Sequence, residues 1–182
     1  MLSKKDRNVI GGKGETGPLL GVHISIAGGL DKAIAGGKDL ACNTIQIFTK
    51  NASQWKECNL GQDEISAFIK KREELNIRPV ISHGSYLIAL ASPDEDIREK
   101  SLNDMLHELR RSEKLGIEYF VIHPGHRGSG EKEVLQRVVG ALEQLLLKTD
   151  GWTQQQWPLK RPPVRGRRLG THWSTLRILW RM

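Results

Sequence analysis

Residues 78–123 read RPVISHGSYLIALASPDEDIREKSLNDMLHELRRSEKLGIEYFVIH. The stretch opens on Arg78–His83 (RPVISH), a short apolar run stopped by a glycine, which reads as a strand. Asp96–Leu115 follows, with Leu102, Met105, Leu106 and Leu109 at helical spacing. Gly116 stands where a helix C-cap glycine belongs. Tyr119–His123 (YFVIH) is the next strand. Two strands continuous in apolar residues and separated by a helix imply a parallel pair.

The same order recurs on both sides. Leu19–Ser25 (LLGVHIS) reads as a strand, and Gly28-Gly29 starts a helical stretch to about Leu40. Thr44–Thr49 (TIQIFT) is β-branched and aromatic, so it reads as a strand. Gln62–Asn76 carries Ile65, Phe68, Ile69 and Leu75 at helical spacing. Glu131–Lys148 carries Val134, Leu135, Val138, Val139, Leu142, Leu145 and Leu146, the pattern of a strongly amphipathic helix. The four βα units imply an α/β fold with a parallel sheet covered by helices. Two architectures fit: a doubly wound open sheet, or a truncated (β/α)₈ TIM barrel, which when complete takes about 250 residues. No GxGxxG follows the first strand, which counts against a dinucleotide fold.

The net charge of +7 divides unevenly along the chain. Residues 1–151 hold 21 Lys+Arg and 21 Asp+Glu, while residues 152–182 hold seven Lys+Arg and no acid. Trp152, Trp157, Trp173 and Trp180, four of the five tryptophans, lie in that last segment too. The overall basicity therefore says nothing about the folded part. The organisation read from these shifts is a disordered Gly- and Lys-rich segment at 1–17, the folded α/β region at 18–151 and an aberrant basic, unstructured tail at 152–182. Cys42 and Cys58 form no CxxC pair, which suggests a reducing compartment. The N-terminus lacks the apolar h-region of a signal peptide, and no apolar run spans a bilayer. The expectation is a cytoplasmic protein with no membrane partner.

In parallel α/β folds ligands bind at the C-terminal ends of strands. Ser25, Thr49, His83 and His123 fall there, with His23 one alternation step inside the first strand. His83 and His123 each end an apolar strand, one βα unit apart, so their imidazoles should emerge side by side on one rim. Neutral imidazole is a common zinc ligand, and zinc sites draw ligands from separate strands. The alternative is that each ring caps the next helix or bonds a loop carbonyl.

The segments GVHISIAGGLDKAI, IQIFTKNASQW, ISHGSYLIALASP and LGIEYFVIHPGH stand in this order and spacing between Leu19 and Gly151. Together they resemble the endonuclease IV family of abasic-site DNA endonucleases. The resemblance implies a xylose-isomerase-like (β/α)₈ barrel holding a three-zinc cluster. It implies cleavage of the phosphodiester 5′ to an abasic site, a step of base excision repair, with DNA as partner. By motif position His83 and His123 match two zinc ligands, and Asn51, Gln54 and Tyr86 match segments that reach DNA near the lesion. The family often has a longer polar or basic residue where Ser53 stands, a departure in the segment that penetrates the duplex. Clustered zinc can activate a water, neutralise phosphate oxygens and stabilise the leaving oxygen. A lesion nucleotide is extruded most easily where a base is missing, since less stacking is lost.

The family's further ligands come from the fifth strand onward, where this chain reads WTQQQWPLKRPPVRGRRLGTHWSTLRILWRM. That segment has no acid, and His172 is read as an ordinary tail residue. The tail is read as family coding sequence in the wrong frame. Pro162-Pro163-Val164-Arg165-Gly166 can be spelled CCG-CCG-GTC-AGG-GGA, which regroups from the last base of each codon to alanine-glycine-glutamine-glycine, resembling the family's loop there. With only two expected ligands, the chain is expected to be inactive alone. Two other readings stand: a sugar isomerase or epimerase fragment of the same barrel type, and a nucleic-acid-binding module acting through the Arg- and Trp-rich tail.

Overall fold

The structure is a computed structural model that describes residues 18–125, 130–149 and 178–181. The expected disordered segment 1–17 lies outside the described residues, as do residues 150–177 of the linker and tail. The elements run β1 (Gly21–His23), α1 (Leu30–Asp39), β2 (Thr44–Ile47), α2 (Gln62–Leu75), β3 (Val80–His83), α3 (Glu95–Lys114), β4 (Tyr119–Ile122), α4 (Glu131–Thr149) and β5 (Ile178–Arg181). All four βα units read from the sequence are present, with ends shifted by one or two residues.

Local chemistry sets the helix ends. The Asp94 carboxylate accepts the Ile97 N–H at 3.1 Å and caps α3 at its start. Leu115 closes that helix and Gly116 follows at φ +63°, the left-handed step expected of a C-cap glycine. Asn76 makes the same turn after α2 at φ 50°.

Strand order decides between the two architectures. β1, β2, β3 and β4 are neighbours in chain order and all pair parallel. A doubly wound sheet reverses its order at a switch point, whereas a barrel adds each strand beside the last. The fold is therefore α/β with the winding of a partial TIM barrel.

The two faces of the sheet differ. Ile45, Ile47 and Val80 are buried with Leu30 and Ile34 of α1 and Ile65 and Phe68 of α2. Phe120 and Ile122 are buried with Leu102, Met105 and Leu109 of α3 and Val138 and Leu145 of α4. The alternate residues Gln46, Ile81 and His83 are only half-buried. They line the concave face, which a closed barrel would fill.

Two expectations change. The α4 face is only partly core: Val138 and Leu145 are buried, but Leu135, Val139 and Leu146 are exposed, as is Leu147 at 77%. Their apolar stripe is wider than α3 alone can cover. The tail reads as unstructured in the sequence, yet Ile178–Arg181 forms β5, antiparallel to β4, with Phe120 opposite Trp180. The residues ILWR suit a pleated edge, and β4 offers that edge its unpaired ladder groups.

Candidate metal and nucleic-acid site

His83 is the last residue of β3, and His123 directly follows β4. His83 pairs with Val121, two residues before His123, and the imidazole centroids lie 5.2 Å apart. One ion bonded at about 2.0–2.1 Å to a nitrogen of each ring fits that spacing. His83 Nδ1 lies 2.7 Å from the Gly84 carbonyl oxygen. A carbonyl only accepts, so Nδ1 carries the proton and Nε2 carries the lone pair. Fixing the tautomer through a backbone carbonyl is how metal-binding histidines are commonly oriented. The two sequence readings of His83, a carbonyl bond and a metal ligand, are thus compatible in one ring. His83 and His123 fit two ligands of a zinc ion. Among the described residues no group of three or more His, Cys, Asp or Glu side chains is placed to hold a metal.

The loop after β4 needs its glycine. Gly125 has φ +102°, and a Cβ there would lie 2.7 Å from the Ala89 Cα. The Ala91 N–H donates to the Pro124 carbonyl at 2.7 Å, locking this turn against the loop after β3. Gly125→Ala must therefore displace backbone or hold a strained φ. The expected cost is about 1–3 kcal/mol, read as a lower urea midpoint at unchanged slope; an unchanged midpoint would show that the turn yields freely.

Around the pair is a ring of aromatic side chains. Phe48 lies 5.4 Å from His83, 4.5 Å from His23 and 5.1 Å from Tyr86, centroid to centroid. Tyr86 is 70% exposed. His23 Nδ1 lies 3.1 Å from Gln46 Oε1, which fixes that ring as well. Asn51 and Gln54 are exposed on the loop after β2. Asn51 Oδ1 accepts the Ser53 N–H at 2.9 Å, and the Gln54 N–H donates to the Asn51 carbonyl at 3.4 Å. Of the other rim residues, Thr49 is fully buried, and the Ser25 hydroxyl accepts the Ala27 N–H at 3.2 Å in a local turn. Phe48 was missed, although it continues the Gln46 alternation onto the concave face.

Sequence reading also missed the polar layer beneath the loops. Lys50 and Asp104 are 3% and 4% exposed and meet at 2.7 Å. Lys50 Nζ also donates to the Gln54 carbonyl at 2.6 Å. Glu108 is fully buried, and its Oε1 accepts the Ser85 N–H at 2.9 Å. Burial pushes its carboxyl up to about 8; Asp104 adds to the rise, while the Ser85 N–H, Lys50 and Arg111 oppose it. Burial also lowers His107 below the ordinary histidine value. The signal was present as Asp104, Glu108 and Arg111 at i, i+4 and i+7, beside the apolar stripe. A cavity of about 460 Å³ lined by Glu57, Asn103, Leu106, His107, Arg110 and Lys148 includes neither strand-end histidine.

The chain is similar to known proteins in sequence and in fold. A family model described as a xylose isomerase-like TIM barrel matches residues 35–153. The chain is 43% identical over 137 residues to a protein named probable endonuclease 4 from Chloroflexus aggregans, covering 75% of this chain and 48% of the relative. It is 41% identical over 135 residues to a protein of the same name from Geotalea daltonii, covering 74% and 47%. The crystal structure of endonuclease IV from Thermus thermophilus superposes with a TM-score of 0.61 at 33% identity, covering 70% of this chain and 47% of that one. A D-tagatose 3-epimerase-like protein superposes at 0.53 with 13% identity, a likeness of fold alone. The chain spans about half the length of the curated relatives it matches. Strand order and the family match agree: this chain belongs to the xylose isomerase-like TIM barrel family, and the curated relatives it matches are named probable endonuclease 4.

Proposed function

We propose that the chain carries part of the zinc- and DNA-binding surface of an endonuclease 4-type enzyme, one that cuts the phosphodiester 5′ to an abasic site. The observation that carries this reading is the His83–His123 pair, 5.2 Å apart at adjacent strand ends, with His83 held in the Nε2-basic tautomer by the Gly84 carbonyl. The relatives' names supply the reaction class.

His83 and His123 would hold zinc. When bound, zinc supplies charge neutralisation at phosphodiester oxygens and activation of a water. The protein's own work is positional. The Gly84 carbonyl keeps the His83 proton on Nδ1, and the Pro124–Gly125 turn fixes the approach of His123. Tyr86, packed edge-on to Phe48, offers a phenol and an aromatic face to a nucleotide at the rim. Asn51 and Gln54 offer amide groups on an anchored loop. Two histidines do not complete a multinuclear cluster, so the chain by itself binds zinc weakly and does not cleave. The tail at 152–182 is proposed to be out-of-frame sequence; its nucleotide sequence tests this, because one shift near codon 152 must restore acidic residues.

Zinc content and nicking of an abasic duplex test the function. Purified chain is expected to retain sub-stoichiometric zinc, and His83→Ala or His123→Ala should abolish it while far-UV circular dichroism is preserved. Zinc retention unchanged in both variants would refute the ligand assignment. Robust cleavage by the chain alone would overturn the inactive reading. Deleting residues 152–182 should leave DNA affinity unchanged; a loss would move DNA binding to the tail.

A further inference from the structure

One side of α3 reaches both rim loops, and it does so through backbone atoms. Arg111 Nε donates to the Thr49 carbonyl at 3.0 Å, and the terminal guanidinium nitrogens donate to the carbonyls of Thr49 and Cys58. Asp104 holds Lys50, which reaches the Gln54 carbonyl. Glu108 accepts from the Ser85 backbone in the other loop. The loops are also tied to each other. Ser85 Oγ and the Tyr86 N–H both donate to the Ala52 carbonyl, at 2.8 and 3.0 Å. Ala52 sits between Asn51 and Gln54 and is 9% exposed.

The composition of this layer is informative. Lys50, Asp104, Glu108 and Arg111 are all no more than 6% exposed. Buried charges such as Lys50, Asp104 and Arg111, and a buried protonated carboxyl such as Glu108, are weak contributors to stability compared with apolar side chains of similar volume. A surface that only had to pack would carry residues like Met105 and Leu109, which lie beside these on α3. What the polar layer provides instead is fixed geometry, because the bonds of Lys50, Glu108 and Arg111 to loop backbone are directional and hydrophobic contacts are not.

We infer that Asp104, Glu108 and Arg111, with Lys50 and Ser85, are positioning residues that lock residues 49–58 and 84–87 into one unit, presenting Asn51, Gln54 and Tyr86 together. The nature of what these loops meet rests on the function proposed above; the coupling of the loops does not.

Residue-resolved hydrogen exchange on the full chain tests the coupling. In Ser85→Ala one cross-loop bond is lost, and exchange of the Ser53, Gln54 and Tyr86 amides should rise together, by about tenfold. Amides of α1 and α2 should not change. Glu108→Ala should open both loops in the same way, whereas Glu108→Gln keeps the acceptor for Ser85 N–H and should hold both loops at wild-type protection or better. A merely structural loss would raise exchange across the domain without that rescue. Faster exchange confined to Tyr86, with Ser53 and Gln54 unchanged, overturns the coupling. A chain that shows coupled loops but no preference for an abasic over an intact duplex would instead overturn the proposed ligand.

Discussion

Lys50→Met is expected to destabilise the protein by about 3–5 kcal/mol, because it leaves the Asp104 carboxylate buried without its cation. The two groups meet at 2.7 Å with 1% and 2% of their side-chain surfaces exposed. No hydrogen bond of good geometry reaches either Asp104 oxygen among the described residues, so Lys50 is the charge that makes its burial tolerable. The loss is a large share of a typical domain's stability of about 5–15 kcal/mol. The double variant Lys50→Met/Asp104→Leu removes both charges and should recover at least half of the loss. The Gln54 carbonyl it releases lies on an exposed residue that water can reach. Lys71 and Glu74 meet at a similar 2.8 Å but on the surface, so Lys71→Met should change stability little. Chemical denaturation of the four proteins at pH 7 checks this. A Lys50→Met loss no greater than that of Lys71→Met would show that Asp104 is not held by this pair.

What the sequence made legible follows from periodicity. Thr44–Thr49 and Tyr119–His123 read as buried strands from their length and β-branched and aromatic content, and the repeat Leu102, Met105, Leu106, Leu109 reads as a helix face. The positions of His83 and His123 came from the rule that α/β ligand sites lie at strand ends, and the structure sets the two rings side by side. Phe48 escaped because an aromatic at the end of an apolar strand reads as core. Asp104 and Glu108 escaped because charged residues on a helix default to the solvent side. Their partners, Lys50 and Ser85, lie 54 and 23 positions away, and no local pattern encodes such a pairing. The pairing of Ile178–Arg181 with β4 is likewise tertiary, since a strand of four residues gains its meaning from the edge it meets.

Glu108→Gln is expected to stabilise the protein increasingly as pH rises from about 4.5 to about 8, and by a constant amount above that. The Glu108 carboxyl is raised from 4.5 to about 8, with burial the main cause. The folded state therefore holds its proton more tightly than the unfolded chain does. Below about 4.5 both states are protonated and the group contributes its full share of stability. As pH climbs, unfolding is increasingly rewarded by ionisation in water, and that share is gone once the folded carboxyl also ionises near 8. At about 1.36 kcal/mol per pH unit, the loss is on the order of 5 kcal/mol over the window. Glutamine keeps an oxygen for the Ser85 N–H and has no proton to lose, so its variant escapes the decline. Histidine titration acts on both proteins alike and cancels in the difference. Urea unfolding of both at pH 5, 7 and 9 reads that difference directly. Stability curves that stay parallel across those three values would mean that Glu108 ionises in the folded protein as it does in water, through solvent or a cation reaching it beneath the Ser85 loop.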